Sequence, residues 1–122
     1  MTKITFFKRD GIYYGFKEVG HADYSSMGTD IVCSALSAMT MLIVNAIEVS
    51  YASDVQYEID EEKAMITVRA MGALPEFESD EKKRFAISGL LQAYYYQLND
   101  MLEEYYDYID VDVIEKKFDG NK

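Results

Sequence analysis

"ITFFKRDGIYYGFKEV", residues 4–19, decides the class of fold. Its two runs, ITFFKR (4–9) and IYYGFKEV (12–19), are rich in aromatic and branched residues. Such side chains fit a half-buried pleated surface. Asp10-Gly11 stands between the runs, and this pair readily takes the positive φ angles of a two-residue hairpin turn. The chain is therefore predicted to open on a β-hairpin.

Downstream, Val32, Leu36, Met39, Ile43 and Ile47 recur at helical spacing. They predict a helix from about Thr29 to Val49, capped by Thr29 or Asp30, whose side chains can accept from an orphan amide of the first turn. A second hairpin follows: VQYEI (55–59), a polar turn from Asp60 to Lys63, then AMITVRAM (64–71). GALPEFE (72–78) holds the only proline and reads as a connection. Ser79, Asp80 and Glu81 open a long helix to about Tyr106, with an apolar stripe of Ile87, Leu91, Tyr94, Leu98, Met101 and Tyr105. YIDVDVI (108–114) alternates with period two and predicts a last strand, and FDGNK (118–122) is a polar tail. The order is ββαββαβ. It predicts one α+β domain over residues 1–122: a mainly antiparallel sheet of about five strands with two long helices packed on one face.

Composition narrows the function classes. A chain of 122 residues that is 49% hydrophobic can bury a core as one domain. Acids outnumber bases by 22 to 12, for a net charge of −10. That balance disfavours nucleic acid as a direct partner and favours a basic protein or peptide. The single cysteine excludes an internal disulfide, and the first residues do not read as a signal peptide, so a cytoplasmic location is expected. The uncharged run from Ile31 to Ile47 would rise only about 25 Å as a helix, short of a hydrocarbon core of about 30 Å. It also carries Ser34, Ser37, Thr40 and Asn45. It reads as a core helix, and no membrane partner is expected.

The chemistry concentrates in GHADYSSMGTDIVCSALS (20–37), which contains the only histidine and the only cysteine. The predicted second strand ends just before His21, and Cys33 falls near the start of the predicted helix. Both can share one edge of the layer. The stretch between Gly20 and Gly28 exceeds the usual connection of about 4–6 residues. It is either a binding loop hinged at two glycines or a surface excursion. With Asp30 as cap, Cys33 takes the third helical position, among amides that favour a thiolate and could receive an oxyanion. The alternative is a thiol that only fills space. A metal site from Cys33, His21, Asp23 and Asp30 lacks the paired ligand spacing of zinc sites, so no metal is expected. No phosphate-loop or dinucleotide motif is present, so no cofactor is expected. Tyr94 to Tyr96 and Tyr105 to Tyr108 read as a mixture of core and rim. The acid runs Asp60-Glu61-Glu62 and Glu103-Glu104 read as solvated turn and helix surface.

Gly20-His21-Ala22, followed by Gly28-Thr29-Asp30-Ile31-Val32-Cys33-Ser34-Ala35-Leu36-Ser37, resembles the ribosomal-processing cysteine protease family, Prp. The family pattern is GHA, a short glycine-containing loop, then GxDIVCxAxS. The resemblance implies a small α+β cytoplasmic enzyme, often homodimeric. Such an enzyme removes the N-terminal extension of a large-subunit ribosomal protein of the bL27 type, cutting after a pair of phenylalanines and before a small residue. It also implies Cys33 as nucleophile and His21 as general base and later acid. Asp30 would be helix cap or imidazole partner, and Ser37 a site-lining hydroxyl. Gly20, Ala22, Tyr24, Met27 and Gly28 would belong to the substrate loop, with Tyr24, Met27 and Ile31 lining an apolar pocket. The chain departs from the pattern at Ser25, where the family loop commonly has glycine, and at Ser34, where alanine is commoner. Neither change removes a reacting group. Two other readings fit the same residues: a catalytically silent ribosome-associated binding module, and a redox-sensing thiol protein.

Overall fold

The structure, a computed structural model, describes residues 1–20 and 27–117, with the backbone alone over 27–30. Strands β1 (Thr2–Arg9) and β2 (Ile12–Val19) form the expected hairpin. Its turn places Asp10 at φ 52° and Gly11 at φ 81°, the doubly positive pair whose twist matches the flanking strands. Helix α1 (Met27–Asn45) follows and ends in a wider π-helical turn over Ala46–Ser50. Then come β3 (Gln56–Asp60), β4 (Met65–Arg69), helix α2 (Glu81–Tyr105) and β5 (Ile109–Glu115).

The five strands lie in the order β3-β4-β2-β1-β5. Three pairings are antiparallel, and β5 runs parallel to β1. The parallel pair follows from α2, which carries the chain back across the sheet before β5 begins, as a parallel connection requires. Thus the expected α+β class holds, with a mixed and mostly antiparallel sheet. Both helices cover the same face, since Glu18 on β2 receives hydrogen bonds from Thr40 of α1 and Tyr94 of α2.

Register explains the core. Phe6 stands opposite Phe16, and Phe16 opposite Val68, so these side chains share the helix-facing side of three adjacent strands. From α2, Tyr94 sets its ring edge-on to Phe6 and Phe16, at centroid separations of 5.6 and 5.1 Å. Edge-on packing places the positive rim of one ring on the negative face of another. Ile87, Leu91 and Leu98 continue the buried stripe of α2, and Val32, Leu36, Ile43, Val44 and Ile47 supply that of α1. Each such side chain contributes about 1.5–3 kcal/mol by leaving water. Together they fix both helices on the sheet.

One stripe of the helical segment Ile31–Ser50, which is long and apolar enough to cross a membrane by length and composition, is therefore core. Its opposite face exposes Ile31, Met41, Leu42 and Val49, with Leu42 64% and Val49 72% accessible. The expected buried helix is buried on one side only.

At the start of α2, Asp80 lies outside the helix with extended backbone, and its carboxylate accepts from the Lys82 amide at 2.9 Å. That bond satisfies one of the orphan donors of the first turn. Asp80→Ala is expected to lower stability by about 1 kcal/mol, read as a fall in the denaturant midpoint at an unchanged slope.

Candidate active site

Strand register brings four chain ends to one end of the sheet. Lys3 of β1 and Met65 of β4 both pair with Val19 of β2, and Asp60 of β3 pairs with Met65. The chain leaves β2 at Gly20, whose amide donates to the Ala64 carbonyl at 3.0 Å. The Gly20 carbonyl in turn accepts from the Thr2 hydroxyl at 3.3 Å. Helix α1 passes this end, so Cys33 and Ser37, one turn apart, open with Gly20 into a cleft of about 570 Å³.

The cleft walls are Leu36 on the helix side and Ile59, Ala64, Met65 and Ile66 on the β3–β4 hairpin, with Asp60 and Glu61 at the hairpin tip. Cys33 is half-buried and carries a free thiol. Ser37 is exposed at the mouth. Their meeting with Gly20 in one cleft is the part of the expected site that lies among the described residues. His21, Ala22 and Tyr24 lie outside them, as do the side chains of Met27, Gly28 and Asp30.

Three expectations are corrected. The helix begins at Met27, not Thr29 or Asp30. Met27 and Gly28 therefore lie in the first turn of α1, and Asp30 lies inside the helix and cannot be its cap. The sequence cue was degenerate, because Ser25, Ser26, Thr29 and Asp30 are all residue types that favour helix starts. Cys33 then falls in the second turn, past the free amides, whose field fades within the first turn. Ile31, expected in the pocket, is on the outer face of α1. Among the described residues, the apolar lining comes from Leu36 and the hairpin.

Glu18 was missed. It is only 5% accessible and lines the same cleft. The Tyr94 hydroxyl donates to its Oε1 at 2.6 Å, and the Thr40 hydroxyl donates to the same oxygen at 3.0 Å. Burial pushes the Glu18 carboxyl above its ordinary range, against the opposing pull of these two donors. The Tyr94 hydroxyl is pushed up as well, by burial first and by the Glu18 charge second. The available signal was strand period: Phe16 and Glu18 sit two apart on β2, so an inward Phe16 places an acid inward beside it.

The folded state thus holds the Glu18 proton more tightly than the unfolded chain does. Wild-type stability falls as pH rises from the usual carboxylate range through the raised value. Glu18→Gln cannot ionise, yet keeps a carbonyl oxygen for both hydroxyls. The midpoint temperature of the variant minus that of wild type is expected to widen between about pH 4 and about pH 8. Thermal scans across that range check it, and a gap that narrows with pH would contradict burial as the dominant cause.

Among the described residues, no group of three or more His, Cys, Asp or Glu side chains is placed to hold a metal ion. A lone thiol beside a hydroxyl, on a helix bordering an apolar cleft, is an arrangement suited to a nucleophile acting on a carbonyl.

The model of the family described as cysteine protease Prp matches residues 1–110 of this sequence. The chain belongs to the Prp family of cysteine proteases. Prp-like architecture extends to solved structures. SMU.848 from Streptococcus mutans is 27% identical, with a TM-score of 0.76, over 95% of this chain and 99% of that one. The ribosomal processing protease Prp from S. aureus, in complex with a substrate peptide, is 22% identical with a TM-score of 0.74. The match covers 93% of this chain and 100% of that one. The same protease with a covalently linked product peptide gives 23% identity and a TM-score of 0.72 at the same coverage. No curated protein sequence matches this chain.

Proposed function

We propose that this Prp-family chain is a Cys–His endopeptidase that removes the N-terminal extension of a large-subunit ribosomal protein of the bL27 type, cutting after an aromatic pair. The observation that carries the reading is the placement of Cys33. Its thiol opens into the cleft at the sheet end where Gly20 leads into the segment bearing His21. The S. aureus relative, solved with a covalently linked product peptide, supports a covalent route here.

In this mechanism His21 takes the Cys33 proton, and the thiolate attacks the carbonyl carbon of the scissile bond. A C–S bond forms and the carbonyl electrons move to oxygen. When the tetrahedral centre collapses the C–N bond breaks, and the imidazolium gives its proton to the leaving amine. Water, deprotonated by His21, then attacks the thioester carbon. When this second tetrahedral centre collapses the C–S bond breaks, the acid product leaves, and the imidazolium returns its proton to the sulfur. Asp30 is assigned as imidazole partner, the role the family resemblance offers it beside that of a cap. Ser37 lines the cleft as a polar hydroxyl.

Leu36, Met65 and Ile66 offer apolar wall to the aromatic residues before the cut, and the acidity of the chain suits a basic substrate region. The exposed apolar face of α1, with Ile31, Met41, Leu42 and Val49, supports assembly as a homodimer. The enzyme is assigned to the cytoplasm.

The test is cleavage of a synthetic peptide bearing Phe-Phe followed by a small residue, compared among wild type, Cys33→Ser and His21→Ala. Cutting at that junction by wild type alone is the expected result. No cutting by folded wild type, even of a longer natural extension, would favour a silent binding module. A Cys33 that oxidises readily in His21→Ala, without any proteolysis in wild type, would favour a redox thiol.

A further inference from the structure

Among the described residues, Glu18 is the one buried acid that lines the cleft, and the proposed reaction makes no use of it. Both of its hydrogen bonds, from Tyr94 and Thr40, end on Oε1. Those donors sit on the two different helices, so the carboxyl group is held from both sides and cannot swing to a new rotamer without breaking a bond. Oε2 receives no hydrogen bond from the described residues, and it is not sealed, since no buried side-chain oxygen or nitrogen is left without a partner. Glu18 lines the cleft, so Oε2 is the oxygen that opens onto it.

The surroundings select what could meet that oxygen. Leu36, Met65 and Ile66 give the slot apolar walls, Asp60 and Glu61 stand at the hairpin tip, and none of the described lining residues is basic. An acid at the floor of an apolar slot matches a side chain with a long hydrocarbon stem and a cationic tip.

We propose that Glu18 is a specificity-determining residue that pairs through Oε2 with a lysine or arginine side chain of the peptide substrate, whose stem lies along Leu36, Met65 and Ile66. This rests on the protease reading for its substrate and extends it to a charge preference beside the cut. The cost of burying an unpaired carboxylate, which raises the Glu18 carboxyl in the free protein, is offset when a cation arrives. A rim acid in water would gain far less from the same contact.

The experiment measures binding rather than turnover. Fluorescent heptapeptides containing Phe-Phe-Ala carry lysine or norleucine, its uncharged near-isostere, at each other position in turn. They are titrated against Cys33→Ser protein by anisotropy. At one position lysine is expected to bind about tenfold or more tightly than norleucine, and adding Glu18→Gln is expected to erase the difference. In an Asp60→Asn/Glu61→Gln background the preference is expected to survive. No lysine preference at any position, a preference that outlives Glu18→Gln, or one lost only with the rim acids would each overturn the assignment. The first of these needs no Glu18 variant, so a misfolded Glu18→Gln does not shield the proposal. Cleavage of the same peptides by wild type is scored separately. Cutting without lysine preference overturns the Glu18 assignment alone, whereas lysine preference without cutting overturns the protease reading alone.

Discussion

Cys33→Ser is expected to lower cleavage of the Phe-Phe peptide by about 10³-fold or more, with little change in peptide affinity. The two side chains differ by one atom, but a serine hydroxyl gives up its proton far less readily than a thiol and is the weaker nucleophile without a full activating triad. Structure should be spared, because Cys33 is half-buried at the cleft edge and donates no hydrogen bond to the described residues that serine would alter. His21→Ala should bring a loss of similar size, since the proposed nucleophile and base would act as a unit, and the losses of such a pair do not add. The double variant is then expected to be no worse than either single one. Single-turnover assays, with unfolding curves for each variant, separate lost chemistry from lost fold. Substantial cutting by Cys33→Ser would remove Cys33 from the reaction and leave the cleft as a binding site.

The features legible in the residues are those that local chemistry fixes. Asp10-Gly11 announced its turn because few other pairs accept two positive φ angles, and Asp80 announced α2 because its carboxylate caps the first turn directly. Buried stripes at helical spacing gave both helices, from Val32 to Ile47 and from Ile87 to Leu98. What escaped depends on partners distant in the chain. The parallel pairing of β5 with β1 joins the two ends of the fold, and no local pattern distinguishes it from an antiparallel edge. The start of α1 was misplaced because several cap-type residues compete within six positions. Glu18 was hidden because an acid in a strand reads as solvent-facing. Its inward setting requires Thr40 and Tyr94, which lie 22 and 76 residues away. Of the candidate site, the thiol and its neighbour Ser37 were legible from the motif, while the cleft around them comes from a hairpin whose sequence carries no catalytic signature.

The second large effect is expected at Gly20. Its φ of +105° is a backbone setting that L side chains rarely adopt. A Cβ built there would lie 2.5 Å from the carbonyl oxygen of Met1, well inside van der Waals contact. That oxygen belongs to backbone held close to the sheet, since the Thr2 amide donates to the Tyr108 carbonyl at 2.8 Å and the Thr2 hydroxyl to Gly20 itself. Relief by moving Met1 therefore disturbs the start of β1, and relief by turning Gly20 breaks its bond to Ala64. Gly20→Ala is expected to cost about 2–4 kcal/mol, backbone strain and clash together, and to lower the midpoint temperature by about 10 °C. Val19→Ala, one residue earlier at a partly exposed strand end, should change stability by less than about 1 kcal/mol and serves as control. Activity measured well below both midpoints carries the sharper consequence. Gly20 leads the chain from β2 into the segment that bears His21, so a redirected exit is expected to displace the proposed base even in molecules that remain folded. Cleavage by Gly20→Ala is therefore expected to fall by about 10²-fold, as a misplacement of about 1 Å can cause, while Val19→Ala keeps nearly full rate. A Gly20→Ala protein with wild-type midpoint and rate would mean that neither the φ at this position nor the contact with Met1 constrains the site.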